Sequence, residues 1–335
     1  MNPDFTAELA LAREAFGLPA HGARLLGGGA TANRVVALTN AAGQARWVLR
    51  CPLRDPRPAR LDFLLAFHHF AHAHGLPVAV PLPTVDGRER AVDTDGRPWV
   101  LLEYLPGRPL TTVTIPLAWQ AGHHLAALHH LPTNHGTPQQ GAAEPDSPWD
   151  AWLTAPERTW QAAADIAAPH PALLAAYRPY LDLLHQHASP LEELQAAQWG
   201  HGDVHGHNLL HEDGQITGLL DLDGAGLRPR TTDVATAVLM LARTGSGDYR
   251  LQPDLVRAVL AGYQQPPTAP LTPTEWAALW PAMVLSQLPD PHHLAALRRA
   301  GRPLAPALAR PLAALQALHR QRAALLLLLT AGSTR

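Results

Sequence analysis

The chain changes character once, near Gly107, and that change limits the folds open to it. Ahead of it, strand-like runs fall at 23–26, 34–39, 46–50, 90–92 and 98–104, with helix-period segments only at 5–16 and 59–74. Asn40-Ala41-Ala42-Gly43 separates the second and third runs, and Asp93-Thr94-Asp95-Gly96 the last two, which predicts antiparallel hairpins. Gly75 stops the second helix. Beyond Gly107, apolar residues recur at helical spacing over 116–131, 149–166, 171–187, 232–242, 255–263, 274–288 and 303–329. Residues 132–147, rich in Gly, Pro, Asn and Gln, read as a loop. One stretch, Trp199–Leu227, interrupts the helical pattern with a strand, an Asp213-Gly214 turn and a second strand. The expectation is an α+β chain in two parts: a small antiparallel-sheet unit over 1–105 and a mainly helical unit over 106–335 with an embedded hairpin.

Composition removes several classes of function. All 26 basic residues are Arg, and no Lys occurs. That excludes a Walker A phosphate loop and any lysine Schiff-base chemistry. One cysteine, Cys51, leaves no intramolecular disulfide and no multi-cysteine metal site. A formal net charge of −2 provides no basic field to hold nucleic acid or an anionic membrane. The start Met1-Asn2-Pro3-Asp4 lacks the pattern of a signal peptide, and the apolar run 323–329 is too short to span a bilayer. A soluble, cytoplasmic protein is expected, with no nucleic-acid or membrane partner.

The chemistry concentrates in the interrupting stretch. His201-Gly202-Asp203 is followed by Asn208, and Leu219-Leu220-Asp221 closes an apolar strand. Phosphoryl transfer from Mg·ATP needs such a set: a carboxylate to orient the acceptor hydroxyl and take its proton, and a neutral amide and a second carboxylate to hold the metal. Mg²⁺ favours these hard oxygen donors. The hairpin turn brings Asn208 and Asp221, on its two arms, to one cation. Asp223 either touches the metal or caps the Gly224-Ala225-Gly226 loop, and the cap is the favoured reading. His201, His205, His207 and His211 crowd the segment, and among 20 histidines such clustering is expected by chance. His201 is therefore read as propping the loop rather than as a zinc ligand.

His201-Gly202-Asp203-x-x-x-x-Asn208 resembles the catalytic loop of the aminoglycoside phosphotransferase and homoserine kinase type II group of protein-kinase-like enzymes. Leu219-Leu220-Asp221 is similar to that group's metal-binding segment, and Thr232-Asp233-Val234-Ala235 to the helix start that follows. The resemblance implies a two-lobed, protein-kinase-like fold and an ATP-dependent phosphotransferase with an alcohol group as acceptor. It makes Asp203 the catalytic base, Asn208 and Asp221 the Mg²⁺ ligands, and Asp233 a support of the loop. The small-lobe features match this outline. Gly27-Gly28-Gly29 lies between two strand runs, where small residues let backbone N–H groups approach phosphates. Val48-Leu49-Arg50 resembles the family's third strand, so Arg50 is the candidate for the α- and β-phosphates, its planar fork suited to phosphate oxygens. Protein kinases pair that cation with a helix Glu; none occurs between Arg50 and Gly75, which leaves Asp62 or Asp55. Residues 100–107 look like the hinge that binds adenine through backbone groups, here at Glu103 and Leu105.

Two other readings compete. Gly202-Asp203-Val204-His205-Gly206 resembles the opening of the metallophosphoesterases, whose two-metal hydrolysis needs further Asp, Asn and His ligands. A catalytically weak, kinase-like binding protein is the other, prompted by the missing Lys and Glu.

Overall fold

In a computed structural model, the described residues are 4–26, 34–52, 58–133, 148–194, 198–245, 247–266 and 268–333. Helix α1 (Thr6–Phe16) ends at Gly17, which adopts φ +65°, and its N–H closes the last turn on the Ala12 and Arg13 carbonyls. Strands β1 (Gly22–Leu25), β2 (Arg34–Thr39) and β3 (Ala45–Cys51) form an antiparallel meander. After helix α2 (Pro58–Ala73) come β4 (Pro81–Leu82), β5 (Ala91–Val92) and β6 (Pro98–Glu103). The sheet order is β1-β2-β3-β6-β4, with β5 also beside β6. Its register aligns Val36, Leu49 and Leu101 across three strands. These pack with Ala12 and Phe16 of α1 and with Trp99, an alternation that buries one sheet face. Both anticipated hairpins are present.

Helix α2 faces the other way. Phe63 and Phe67 stack on each other and meet Trp199 of the large lobe with ring centroids 6.0 and 5.1 Å apart. Its apolar stripe thus belongs to the large core and holds the two lobes together. A second tie is the Leu219 N–H, which donates to the Pro77 carbonyl (2.8 Å). Between the lobes the chain turns at Gly107 (φ +112°), where a Cβ would stand 2.6 Å from Thr217 Oγ1. Only glycine fits this turn.

The large lobe begins with β7 (Arg108–Pro109) and helix α3 (Ile115–His129). Then follow α4 (Pro148–Thr154), α5 (Pro156–Ile166), α6 (Pro171–Ala175), α7 (Arg178–Gln186) and α8 (Ser189–Glu192). The segments 149–166 and 171–187, expected as single helices, are each broken: at Ala155 before Pro156, and at Ala176–Tyr177 ahead of Pro179. Proline withholds an N–H and clashes with the preceding turn, so each helix restarts with proline in its first turn. Next come β8 (Gln198–Gly200), β9 (Leu209–Glu212), β10 (Gln215–Leu219), β11 (Gly226–Arg228), α9 (Arg230–Leu241), β12 (Arg243–Gly245) and β13 (Asp248–Leu251). Helices α10 (Pro253–Tyr263), α11 (Pro273–Leu285), α12 (Pro291–Arg299) and α13 (Leu304–Ser333) complete it. β9 lies between β10 and β7, and β8 pairs with β11. α3 and α10 cross so closely that a Cβ on Gly122 would lie 2.0 Å from the Val259 carbonyl oxygen, and one on Gly262 1.9 Å from that of Trp119. Along α13, Leu308, Leu315 and Leu318 are fully buried.

Candidate active site

The β9–β10 hairpin turns at Asp213 (φ +49°) and Gly214 (φ +77°), where the sequence places its turn. Folding back puts Leu209 opposite Leu219, and the Leu220 N–H donates to the Asn208 carbonyl (2.8 Å). Asn208 and Asp221 are thereby held side by side. Asp221 itself sits at φ +58°, a left-handed conformation uncommon outside glycine. The loop carrying Asp203 is closed by Asn208, whose Nδ2 donates to the Asp203 carbonyl (2.9 Å) and lies 3.5 Å from Asp203 Oδ2. That use of Nδ2 leaves Oδ1 as the amide atom with acceptor chemistry for a cation.

Asp233, near the start of α9, anchors the loop from behind. Its carboxylate accepts the backbone N–H groups of His201 (2.5 Å) and Gly202 (3.0 Å). His129 Nε2 approaches the same carboxylate at 3.3 Å, while His129 Nδ1 and the Tyr263 hydroxyl are 2.7 Å apart. A neutral imidazole meets both demands, accepting from Tyr263 and donating to Asp233. Burial accordingly depresses the His129 pKa. Burial alone would raise Asp233, but the His129 hydrogen bond and the nearby Arg228 charge outweigh it, and the carboxyl falls well below the usual carboxylate range. His201 contributes its Nδ1 as acceptor for the Asp203 N–H (3.3 Å), so both expected supports reach the loop. Arg228 lies across Gly200 and Gly202 to bond the Gly224 carbonyl; a Cβ on Gly202 would be 2.8 Å from its guanidinium.

From the small lobe, Arg50 on β3 crosses the cleft. Its Nη2 is 3.2 Å from Asp221 Oδ1 and hydrogen-bonds Asp223 Oδ2. Burial works against the Arg50 charge, but the Asp223 and Asp221 carboxylates outweigh it and keep its pKa raised. Burial and the adjacent Asp223 push Asp221 up, against the pull of Arg50, and Asp203 adds to the same rise. Asp203, Asp221 and Asp223 thus share one field that favours added positive charge.

Several expectations change here. Asp223, expected at the metal or as a cap of the glycine loop, pairs with Arg50. Asp62 is turned to the surface and pairs with Arg90, not Arg50; Asp55 lies outside the described residues. The contribution of α2 is Arg60, which donates to the Asp223 (2.5 Å) and Ala225 (2.7 Å) carbonyls and lies 5.0 Å from the Phe63 ring. One arginine, Arg50, thus lies on the two carboxylates, and a second, Arg60, holds the Asp223 and Ala225 carbonyls. Glu103 is exposed, and its N–H pairs with the Val80 carbonyl (3.0 Å). Leu105 packs against the bare Cα of Gly218. Gly27, Gly28 and Gly29 lie outside the described residues. Among the described residues no three His, Cys, Asp or Glu side chains converge as a metal cage.

A small antiparallel sheet, a bridging helix and a helical lobe that presents a carboxylate loop beside a hairpin define the protein-kinase-like phosphotransferases. A family model described as the APH phosphotransferase enzyme family matches residues 22–279, and the chain belongs to that family. A homoserine kinase from Phenylobacterium zucineum (strain HLK1) is 27% identical over 234 residues, covering 70% of this chain and 68% of that protein. Among solved structures, a microcompartment-associated aminopropanol kinase superposes with a TM-score of 0.69 at 21% identity, over 99% of both chains. An aminoglycoside phosphotransferase from Alicyclobacillus acidocaldarius subsp. acidocaldarius DSM 446 gives 0.66 at 17% identity, covering 100% of this chain and 98% of that one. The expected family and fold class are thereby established. No helix among the described residues is long and apolar enough to cross a membrane.

Proposed function

We propose that this phosphotransferase moves the γ-phosphoryl group of Mg·ATP to the hydroxyl of a small acceptor, with Asp203 as the base. The observation that carries the reading is the convergence of Arg50, Asp221 and Asp223 beside the Asp203–Asn208 loop. The donor set suits magnesium: hard carboxylate and amide oxygens, in a field already raised by mutual repulsion. Asn208 Oδ1 and Asp221 would hold the metal, with Asp223 beside them. A metal held there would supply positive charge against the negative charge that develops during phosphoryl transfer. Arg50 would turn its fork to the α- and β-phosphates, and Glu103 and Leu105 would offer backbone groups to adenine. Asp203 orients the acceptor hydroxyl and takes its proton as the oxygen attacks. His201 and Asp233 keep that carboxylate in place. Nucleotide use is supported by relatives of the same fold: an amicoumacin kinase solved with AMP-PNP and Ca²⁺, and a spectinomycin phosphotransferase solved with ADP.

The acceptor class favoured is a small hydroxylated amine or amino acid. The homoserine kinase relative supports this. The test is ADP release from Mg·ATP across homoserine, amino alcohols, sugars and aminoglycosides, with Asp203→Asn as control. Acceptor-dependent release lost in the variant is expected. Equal release by the variant, or no thermal shift of the wild type in millimolar Mg·ATP, would overturn the assignment.

A further inference from the structure

A carboxylate that must take a proton from one direction needs its rotation fixed, because an aspartate side chain otherwise swings freely about two torsions. Two groups meet Asp203 at the same oxygen. Asn208 Nδ2 lies 3.5 Å from Oδ2, and His205 Nε2 is also 3.5 Å from it. His205 opens the short 3-10 turn Gly206–Asn208, and its Nδ1 accepts the backbone N–H of His207 (3.1 Å). That bond decides the tautomer: the lone pair is on Nδ1, so the ring proton is on Nε2, facing Asp203. The imidazole is largely enclosed, and its ring edge is set against His207. The turn that binds Nδ1 therefore points an N–H donor at the base.

We propose that His205 is a positioning residue: its Nε2–H, fixed by the His207 N–H on the opposite ring nitrogen, locks the Asp203 carboxylate for attack by the acceptor hydroxyl. The inference rests on the reading of Asp203 as base. In the step itself the hydroxyl proton passes to the Asp203 carboxylate while the hydroxyl oxygen bonds phosphorus and the bond to ADP breaks. The imidazole keeps its proton throughout. Separations of 3.5 Å are long for hydrogen bonds, and such contacts commonly shorten when the acceptor is seated.

The two roles of the ring can be separated by substitution. Asparagine places an acceptor where Nδ1 sits and preserves the turn, but has no donor at the Nε2 position. Glutamine places an amide N–H near the Nε2 position and gives up the turn bond. For His205→Asn, kcat is expected to fall tenfold or more, with the KM for ATP and the melting temperature held. His205→Gln is expected to recover most of that loss. Homoserine is one acceptor probe, and slow hydrolysis of Mg·ATP, with water as acceptor, is the other. A readout free of turnover is the imidazole ¹⁵N spectrum of the whole protein, with the His205 signals assigned by their loss in His205→Asn. A protonated Nε2 and a bare Nδ1, with the Nε2 resonance moving in Asp203→Ala, are expected. A proton on Nδ1, wild-type kcat in His205→Asn, equal slowness of both variants, or a loss of ATP affinity as large as that of kcat would each overturn the proposal. Failure of the parent reading is seen separately, as full turnover by Asp203→Asn.

Discussion

Arg50 is the point at which the site can be weighed. Its side chain is 12% exposed, and those of Asp221 and Asp223 are 34% and 24% exposed. Breaking a fully buried pair costs about 3–5 kcal/mol, while exposed pairs contribute under about 1 kcal/mol. With one arginine on two half-buried carboxylates, Arg50→Met should lie between, at a loss of about 1–3 kcal/mol; methionine keeps the apolar stem and removes the charge. For a chain of 335 residues that is a fall in Tm of roughly 1–4 °C. The loss should be partly reversible by Mg²⁺ without nucleotide, because the variant removes the guanidinium that contacts both Asp221 and Asp223. An ion at ten times its Kd restores about 1.4 kcal/mol. In the wild type the ion has to compete with the guanidinium, so its effect should be smaller. The assay is a thermal melt of both proteins across a Mg²⁺ titration, with Ca²⁺ as a second cation. A variant melting with the wild type, or identical Mg²⁺ responses, would show that Arg50 does not neutralise these carboxylates.

Three further outcomes follow from the geometry. Asp221→Ala should abolish the Tm rise produced by Mg·ATP, as read by differential scanning fluorimetry; a retained rise would place the metal elsewhere. Gly262→Ala should destabilise by about 1–3 kcal/mol despite the better helix propensity of alanine, since its Cβ would stand 1.9 Å from the Trp119 carbonyl oxygen. An unchanged urea midpoint would refute the close crossing of α3 and α10. Stability should also fall as pH drops from about 6.5 toward 4. His68 is fully enclosed, and burial lowers its pKa to about 4 despite its 2.9 Å contact with the Ala79 carbonyl. In that window the unfolded chain takes a proton that the folded chain refuses, a loss of at most about 3 kcal/mol; above it neither state is protonated. Urea midpoints at pH 7 and pH 5 check this, with His68→Gln expected to flatten the slope.

How much of this was legible before the fold depends on the range of each interaction. The spacing from Asp203 to Asn208, the Asp213-Gly214 turn and the position of Asp233 are local, and the sequence states them directly. The partner of Asp62 is not local. It lies on the helix expected to supply a carboxylate, yet its direction around α2 sends it to Arg90, while Arg60 faces inward. Nothing in the linear pattern separates those faces, because α2 is apolar on both its sheet side and its lobe-bridging side. The His129–Tyr263 contact joins residues far apart on two crossing helices, and only the glycine pair Gly122 and Gly262 hinted at such an approach. Other departures had visible signals: Pro156 and Pro179 mark helix breaks, and Asp290-Pro291 is a start signal for α12, where no helix was anticipated.

Having a guanidinium beside the Asp221 and Asp223 carboxylates, and no amine side chain in the sequence, decides how this site can be handled chemically. Acylating nucleotide probes that capture an active-site lysine have no side-chain target anywhere in the sequence, so labelling surveys built on such capture would pass over it. Dicarbonyl reagents selective for guanidinium are the corresponding handle. Their access to Arg50 is obstructed for as long as both aspartates hold it. Because a guanidinium does not lose its proton at any pH the fold tolerates, the positive end of this cleft is permanent, and alkaline conditions leave it charged.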